Sequence, residues 1–529
     1  MTPSEPDSRA AARREKTTVA LLAALSLLAT FAVYRPDRDL PFDFLDFSEF
    51  LPLLQRGDSV LSQLRALLSY YAEQGRFNPV GHATIVAKWL LWGDSSPAWQ
   101  WTRFATMWAV IVLTYRLLCR IGISRPAALA ASAVFLFAPP AVDGWTRLTM
   151  AEPLGVILLL VACLVALRPS DQAHSERRIG LEFAALCVIL VLLKEMLAAT
   201  LLLPIALVVA LPDKLCEYSR WMRVRTLSIA AVVAVLLAGI PVTIVALTAH
   251  ADAYTAAFGS QIRPLGDVVA EWSLGIAPFS VGTSFPPSLA GLALLLLIAL
   301  LVAGWTARLR IAGQDRRSDY LLLAIGLLFP LIGAATYLPW PSYNRFYAIP
   351  CLLGGALLAA GAVSGLESRS SGSGRAGLAV WFLFLVFAAA DAAGQASRLA
   401  GRQRINQAVV TRLAEDRGRA DTVFVGTDQR PPTLWQGIGP TLQRYGEALG
   451  YSMPQIISVP CEESRRRALE GRNAVLFYSS LCSNPLKGDT LIERYRRLRL
   501  PSLRAVTDSI RVDLVIPSQP ARTIGVPGV

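Results

Sequence analysis

Residues 180–211 read GLEFAALCVILVLLKEMLAATLLLPIALVVAL, an apolar run with Lys194 and Glu195 at its centre. A hydrocarbon core about 30 Å thick takes about 20 helical residues. This run is therefore long for one crossing and short for two. Two short helices meeting at a charged turn fit the spacing. Charge at membrane depth is costly and points to function by default. The plainer alternative is a Lys–Glu pair that reaches the interface along its own stems.

Apolar runs of comparable length recur on both sides of this one. The chain has 529 residues, 54% hydrophobic and 17% charged, against about 25% charged in an average soluble domain. The runs predict eleven spans, at 17–34, 98–118, 126–140, 152–168, 180–194, 196–212, 226–248, 288–306, 320–338, 345–365 and 376–394. The first run is longer than a signal-peptide core and lacks a small-residue cleavage site, so it reads as a retained helix. The formal charge is +13. Its Lys and Arg residues fall mainly in short alternate loops, which the positive-inside rule explains and which leaves no case for nucleic-acid binding. The expected arrangement is a cytoplasmic tail (1–16), a membrane domain (17–395) with a large outer loop (35–97), and an extracytoplasmic tail (396–529).

That tail changes character. Strand-like runs DTVFVG, NAVLFYSS and RVDLVIP alternate with Arg-rich stretches that read as helical, which predicts a small α/β domain. It is basic, and would either touch anionic headgroups or an acidic glycan, or simply present a solvated surface. Cys461 and Cys482 both lie there. Outside the cytoplasm they are expected to form a disulfide. The three histidines are scattered, and no zinc spacing occurs.

Residues 37–50, DRDLPFDFLDFSEF, carry Asp37, Asp39, Asp43, Asp46 and Glu49. On a helix, steps of three and four put these acids along one side, with Leu40, Phe44, Phe47 and Leu51 on another. That predicts an amphipathic helix lying in the interface with its apolar face down. Read blandly, the acids are only its solvated face. Cations recur at the same outward depth: Arg103, Arg147, Lys194 and Arg345. A carboxylate can take the proton of an attacking hydroxyl, and cations can stabilise charge on a departing phosphate.

The order of these features resembles the GT-C membrane glycosyltransferases, in the branch of protein O-mannosyltransferases and the lipid A aminoarabinose transferase. The acidic loop DFLDFSEFLPLLQRGD looks like that family's first outer loop. FNPVGHATIVAKWLLWGDSSPAWQWTRF is similar to its Pro-Pro-Leu-like element and the Arg that opens the second helix, with Asn78, Pro79, Gly93 and Arg103. FAPPAVDGWTRLTMAEPLG matches an outer loop followed by a Glu-led helix at Glu152. LLKEMLAATLLLP resembles the paired short helices with a Lys, and NRFYAIPCLLGGALLAAG an Arg-Tyr-x-x-Pro-like element. Val80 and Phe346 depart from the family pattern.

The resemblance implies an inverting transfer of a sugar from a polyprenyl-phosphate donor to an acceptor hydroxyl on the outer face of a bacterial inner membrane. Asp46 is then the first choice for general base, with Asp43 and Glu49 as rivals. Arg345 and Lys194 would hold the donor phosphate, with Arg103 and Arg147 as lesser candidates. Glu152 and His82 would orient a cation or the acceptor. No cofactor is expected; a divalent metal is possible but not favoured, since a monophosphate donor needs little charge compensation. The acceptor is a glycan, lipid or protein. Two rival classes remain: a lipid-linked glycan transporter, against which the absence of repeated halves counts, and a non-catalytic envelope-glycan assembly protein that binds a partner through its basic tail.

Overall fold

The computed structural model describes residues 44–73, 76–145, 147–149, 151–169, 173–211, 217–248, 287–311, 316–336, 348–368, 372–415, 422–426, 438–470, 474–478, 495–499 and 512–517, with residues 24, 30, 33 and 34 of the first run. Three helices form the outer loop: α1 (Phe44–Arg56), α2 (Val60–Ala72) and α3 (Pro79–Trp92). The bundle follows with α4 (Ser96–Arg120), α5 (Arg125–Ser132), α6 (Val134–Phe137), α7 (Pro139–Trp145), α8 (Glu152–Ala166) and α9 (Ala173–Leu193). After a 3₁₀ turn (Glu195–Leu201) come α10 (Leu202–Ala210), α11 (Glu217–Thr248), α12 (Pro287–Leu309), α13 (Arg316–Thr336), α14 (Leu352–Glu367) and α15 (Gly372–Glu415).

Among the described residues, three helices are long and apolar enough to cross a membrane: 96–120, 220–245 and 374–415. A bent pair, Arg125–Phe137 with Pro139–Trp145 at 58°, adds a fourth if taken as one span. The bend falls at Ala138, which leaves the helix for extended backbone (ψ 136) ahead of two prolines. A residue before proline is pushed out of the helical region in this way.

α14 is buried all round, as a helix apolar on every face must be. It packs against α12, α13 and α5. Small residues let the backbones meet, which is how membrane helices associate without a hydrophobic drive. A Cβ at Gly365 would run into the Gly304 carbonyl of α12, and one at Gly304 into Ala362 of α14. Trp305 Nε1 donates to Leu358 O at 2.9 Å across the same contact.

α8 and α9 are antiparallel, and α11 packs along α9. At the end where α8 finishes, charged side chains close the helix termini. Arg223 of α11 is fully buried and gives Nε to Glu176 Oε2 at 3.0 Å, with NH2 on Oε1 of the same carboxylate. Its NH1 donates to Ala166 O at 3.2 Å and also to Arg168 O. Arg120 donates to Leu167 O, and Arg308 pairs with Asp319 at 2.7 Å while reaching Ser364 at 3.0 Å. Arg223 and Arg120 thereby satisfy carbonyls that a helix leaves orphaned at its C-terminus.

α15 is 44 residues long, which spans about 66 Å at the helical rise. The expected domain boundary at 395–396 falls inside it. Beyond it lie β1 (Thr422–Gly426), α16 (Ile438–Ala448), β2 (Gln455–Val459), α17 (Cys461–Glu470), β3 (Ala474–Tyr478), β4 (Tyr495–Arg499) and β5 (Val512–Pro517). The sheet order is β2-β1-β3-β5-β4. β1 pairs in parallel with β2 and β3, and the β3–β5 and β4–β5 pairs are antiparallel. The Arg-rich stretch around 495–499, expected to be helical, is instead edge strand β4. Charge suits an edge, because it discourages pairing with another chain.

Candidate functional site

The outer loop folds on its own small core. Phe50, Leu51 and Leu54 of α1 bury against Leu67 and Tyr71 of α2, Ile85 and Val86 of α3, and Trp99. Gln63 ties α2 back to α1, donating to Leu54 O at 2.9 Å. Ser59 and Ser62 cap the start of α2 reciprocally. α1 also packs along α16. This corrects the expected interfacial helix: Leu51, read as facing the bilayer, is 2% exposed inside protein. The outer loop instead shows apolar groups to its surroundings at Leu90, Leu91 and Trp92, where α3 ends.

An aromatic ladder crosses this core. Phe50 stacks on Tyr71 with centroids 5.5 Å apart, and Tyr71 lies 4.6 Å from the His82 ring. His82 is buried, and its Nδ1 meets no partner among the described residues. Burial, and secondarily the nearby Arg76 charge, lower its pKa to about 4. The ring therefore stays neutral at ordinary pH. On the same helix, Lys88 donates to Leu148 O at 3.1 Å and lies 5.7 Å from the Trp99 ring centroid. Burial lowers its pKa to about 8.

The first turn of α3 presses on the end of α9. A Cβ at Gly81 would sit 3.0 Å from Leu193 O, so glycine permits the approach. α9 stops at Leu193, Lys194 takes extended backbone (φ −165, ψ 122), and Glu195 starts the 3₁₀ turn. The break falls at the expected charged turn, but of the two helices expected to be short only α10 is, with 9 residues; α9 runs for 21. The adjacent charges point to different partners. Lys194 Nζ pairs with Glu152 Oε1, at the opening turn of α8. Glu195 Oε2 accepts from the Asn78 amide, oriented to donate, at 2.6 Å.

Glu152 is 0% exposed. It sits at the positive end of the α8 dipole, where an anion is favoured, and Pro153 follows it in that first turn. Its Oε2 is buried and meets no donor among the described residues. An unmet buried acceptor costs about 1–3 kcal/mol. It is also a ready acceptor for an incoming hydroxyl or amine. Arg103 on α4 is 5% exposed and lies over the Phe104 ring at 4.8 Å, with the buried Gln100 one turn before it. Arg147 is half-buried in the loop that leads to Glu152.

The structure therefore brings together Lys194 and Glu152, and sets His82 one turn along α3 from Asn78. Asp46 and Glu49 lie in the first two turns of α1 by backbone, with side chains outside the described residues. Asp43 and Arg345 lie outside the described residues altogether, as does Cys482. Cys461 is buried and disulfide-bonded. No group of three or more His, Cys, Asp or Glu suited to a metal occurs among the described residues. Sequence reasoning missed Lys88 and the Asn78–Glu195 contact. Only the closeness of α3 to the break reveals the latter.

A helical bundle with a broken helix, a helical outer loop and a following C-terminal sheet is how this chain builds the GT-C fold it shares with solved structures. No protein-family model and no curated protein matches the sequence. Among solved structures, it is similar to ArnT from Cupriavidus metallidurans in the apo state, with 12% identity, 96% of this chain and 98% of that chain covered, and a TM-score of 0.53. It is also similar to the archaeal oligosaccharyltransferase AglB from Archaeoglobus fulgidus, in complex with an inhibitory peptide and a dolichol-phosphate. There the identity is 11%, with 92% of this chain and 73% of that chain covered, and the TM-score is 0.50. Both are GT-C glycosyltransferases.

Proposed function

We propose that this chain is a membrane glycosyltransferase that takes a sugar from a polyprenyl-phosphate donor. The observation that carries the reading is the Lys194–Glu152 pair, held at a helix break under the outer loop, in a fold shared with such enzymes. The dolichol-phosphate bound to AglB supports a lipid-linked donor. The acceptor oxygen forms a bond to the anomeric carbon, with inversion, as the bond from that carbon to the phosphate oxygen breaks. The polyprenyl phosphate leaves with the electron pair, and a carboxylate of the first outer loop receives the hydroxyl proton.

Asp46 is the first choice for that base, with Asp43 and Glu49 as alternatives. Lys194 and Arg345 stabilise the departing phosphate, with Arg103 and Arg147 in support. Glu152 orients Lys194. Eleven crossings, with a cytoplasmic N-terminus and residues 396–529 outside, put this chemistry on the outer, periplasmic face. The reaction proceeds without a divalent metal. The test is sugar transfer from a labelled polyprenyl-phosphate donor by purified protein, with and without chelator. Asp46→Asn is expected to lose at least about a hundredfold in rate with insertion intact. Full activity in both Asp46→Asn and Asp43→Asn removes the base assignment, and no release of sugar by the native chain removes the enzyme reading.

A further inference from the structure

Asn78 stands at the N-cap of α3, where an Asn side chain usually accepts from the helix's own first amides. Here it makes no such bond. Its amide instead donates across elements, to Glu195 Oε2 at 2.6 Å, and to Phe77 O at 3.1 Å. Glu195 is the residue at which the chain resumes helical turns after the break. Three residues after Asn78, Gly81 brings the α3 backbone to the Leu193 carbonyl, on the other side of Lys194. The outer loop thus grips the break on both flanks of the lysine: backbone packing at Leu193 and a hydrogen bond at Glu195. Between these two holds, Lys194 is extended and directs Nζ to Glu152.

We infer that Asn78 and Glu195 form a clasp whose role is to aim Lys194, so that Glu195 is a positioning residue for transfer although it need not touch substrate. The inference rests on the proposed reading of Lys194 as a donor-phosphate group. Lys194 is extended between two helical segments, with its N–H donating to Leu190 O at 3.2 Å and its carbonyl accepting from Leu197 N at 3.0 Å, so its backbone moves with those turns. The Asn78–Glu195 bond ties those turns to the outer loop; without it, a small rotation of the break as a unit swings the four-carbon stem and its ammonium. A charge-assisted hydrogen bond from a neutral amide to a carboxylate is directional enough to hold that rotation.

The experiment uses the full chain in detergent micelles, with Asn78→Ala, Glu195→Ala, Glu195→Gln and the double Asn78→Ala/Glu195→Ala variants. Hydrogen exchange is read over residues 193–201, and donor kinetics with a labelled polyprenyl-phosphate sugar. Both alanine variants should speed exchange across the break and raise the donor KM about tenfold, with kcat changed less. The double variant should be no worse than either single one, the mark of a coupled pair. Glu195→Gln keeps an acceptor for the Asn78 amide and should stay within about threefold of the native chain. Additive losses, or unchanged exchange in the alanine variants, overturn the clasp. Faster exchange with unaltered kinetics, in a chain whose Lys194→Met variant is inactive, overturns its positioning role. If Lys194→Met keeps full transfer, the reading of Lys194 fails, while the exchange data still decide whether the clasp exists.

Discussion

The α8–α9 pair has two charged ends, and they are built differently. At one end, Arg223 spends its donors on both oxygens of Glu176 and on two backbone carbonyls, and nothing of it is exposed. At the other, Lys194 meets one oxygen of Glu152, the second oxygen stays unmet among the described residues, and the lysine side chain keeps 15% of its surface exposed. A saturated buried ion pair is a structural fastening. An unsaturated one next to a helix break has capacity left for something else, and unmet polar groups concentrate where proteins do chemistry.

The largest effect is expected at the saturated end. Arg223→Ala strands the buried Glu176 and two carbonyls. Loss of one partner from such a pair costs about 3–5 kcal/mol, to be seen as a sharply lower unfolding midpoint in detergent. A loss below about 1 kcal/mol would erase the contrast between the two ends. The next test removes the whole pair at the other end. Lys194→Met/Glu152→Gln replaces buried charges by groups of similar volume, which is often neutral or stabilising. Its midpoint should hold or rise, while transfer falls about a hundredfold, the loss that follows removal of one preorganised group facing developing charge. If stability and transfer fell together, this end too would be a fastening.

A third test sharpens the site end through pH. Burial and Arg76 hold His82 neutral down to about pH 4, whereas the unfolded chain takes up that proton near 6.5. The unfolded state then binds more protons between these values, so stability falls as pH drops. Between pH 7 and 5 this amounts to about 2 kcal/mol. His82→Phe should keep the stack on Tyr71 and lose that part of the acid sensitivity, measured as the difference in midpoint between the two pH values. The smallest effect is expected from Gly81→Ala. Its methyl would press on the Leu193 carbonyl, and mild overpacking costs about 1 kcal/mol. The cost should vanish if α3 simply moves away, in which case exchange at the break would rise instead.

Much of the helical frame was legible in the sequence, because span length and the placement of charge are properties of consecutive residues. The interrupted run at 180–211 announced its own break, whereas the bend at Ala138 falls inside the run read as one span at 126–140. The strands around 422–426, 474–478 and 512–517 showed as apolar β-branched and aromatic runs. β2 and β4 did not. Gln455–Val459 carries only a short apolar core, and Tyr495–Arg499 is an edge strand whose arginines mimic a solvated helix. The apolar side read for α1 is met at Leu51, which found a protein core where lipid was expected. Hydrophobic periodicity names a face that must be buried and is silent about what buries it.

The sequence by itself determined where the chain turns helical, where α9 must break, and that a lysine and a glutamate stand at the break. Those are consequences of hydropathy and charge along one dimension. Only the tertiary structure decided that Lys194 turns to Glu152, 42 residues away, while its neighbour Glu195 turns to Asn78. Adjacent residues on an extended backbone point in opposite directions, so two charges side by side in sequence are poor partners for each other. Which distant groups they meet depends on how α3 and α8 pack around the break.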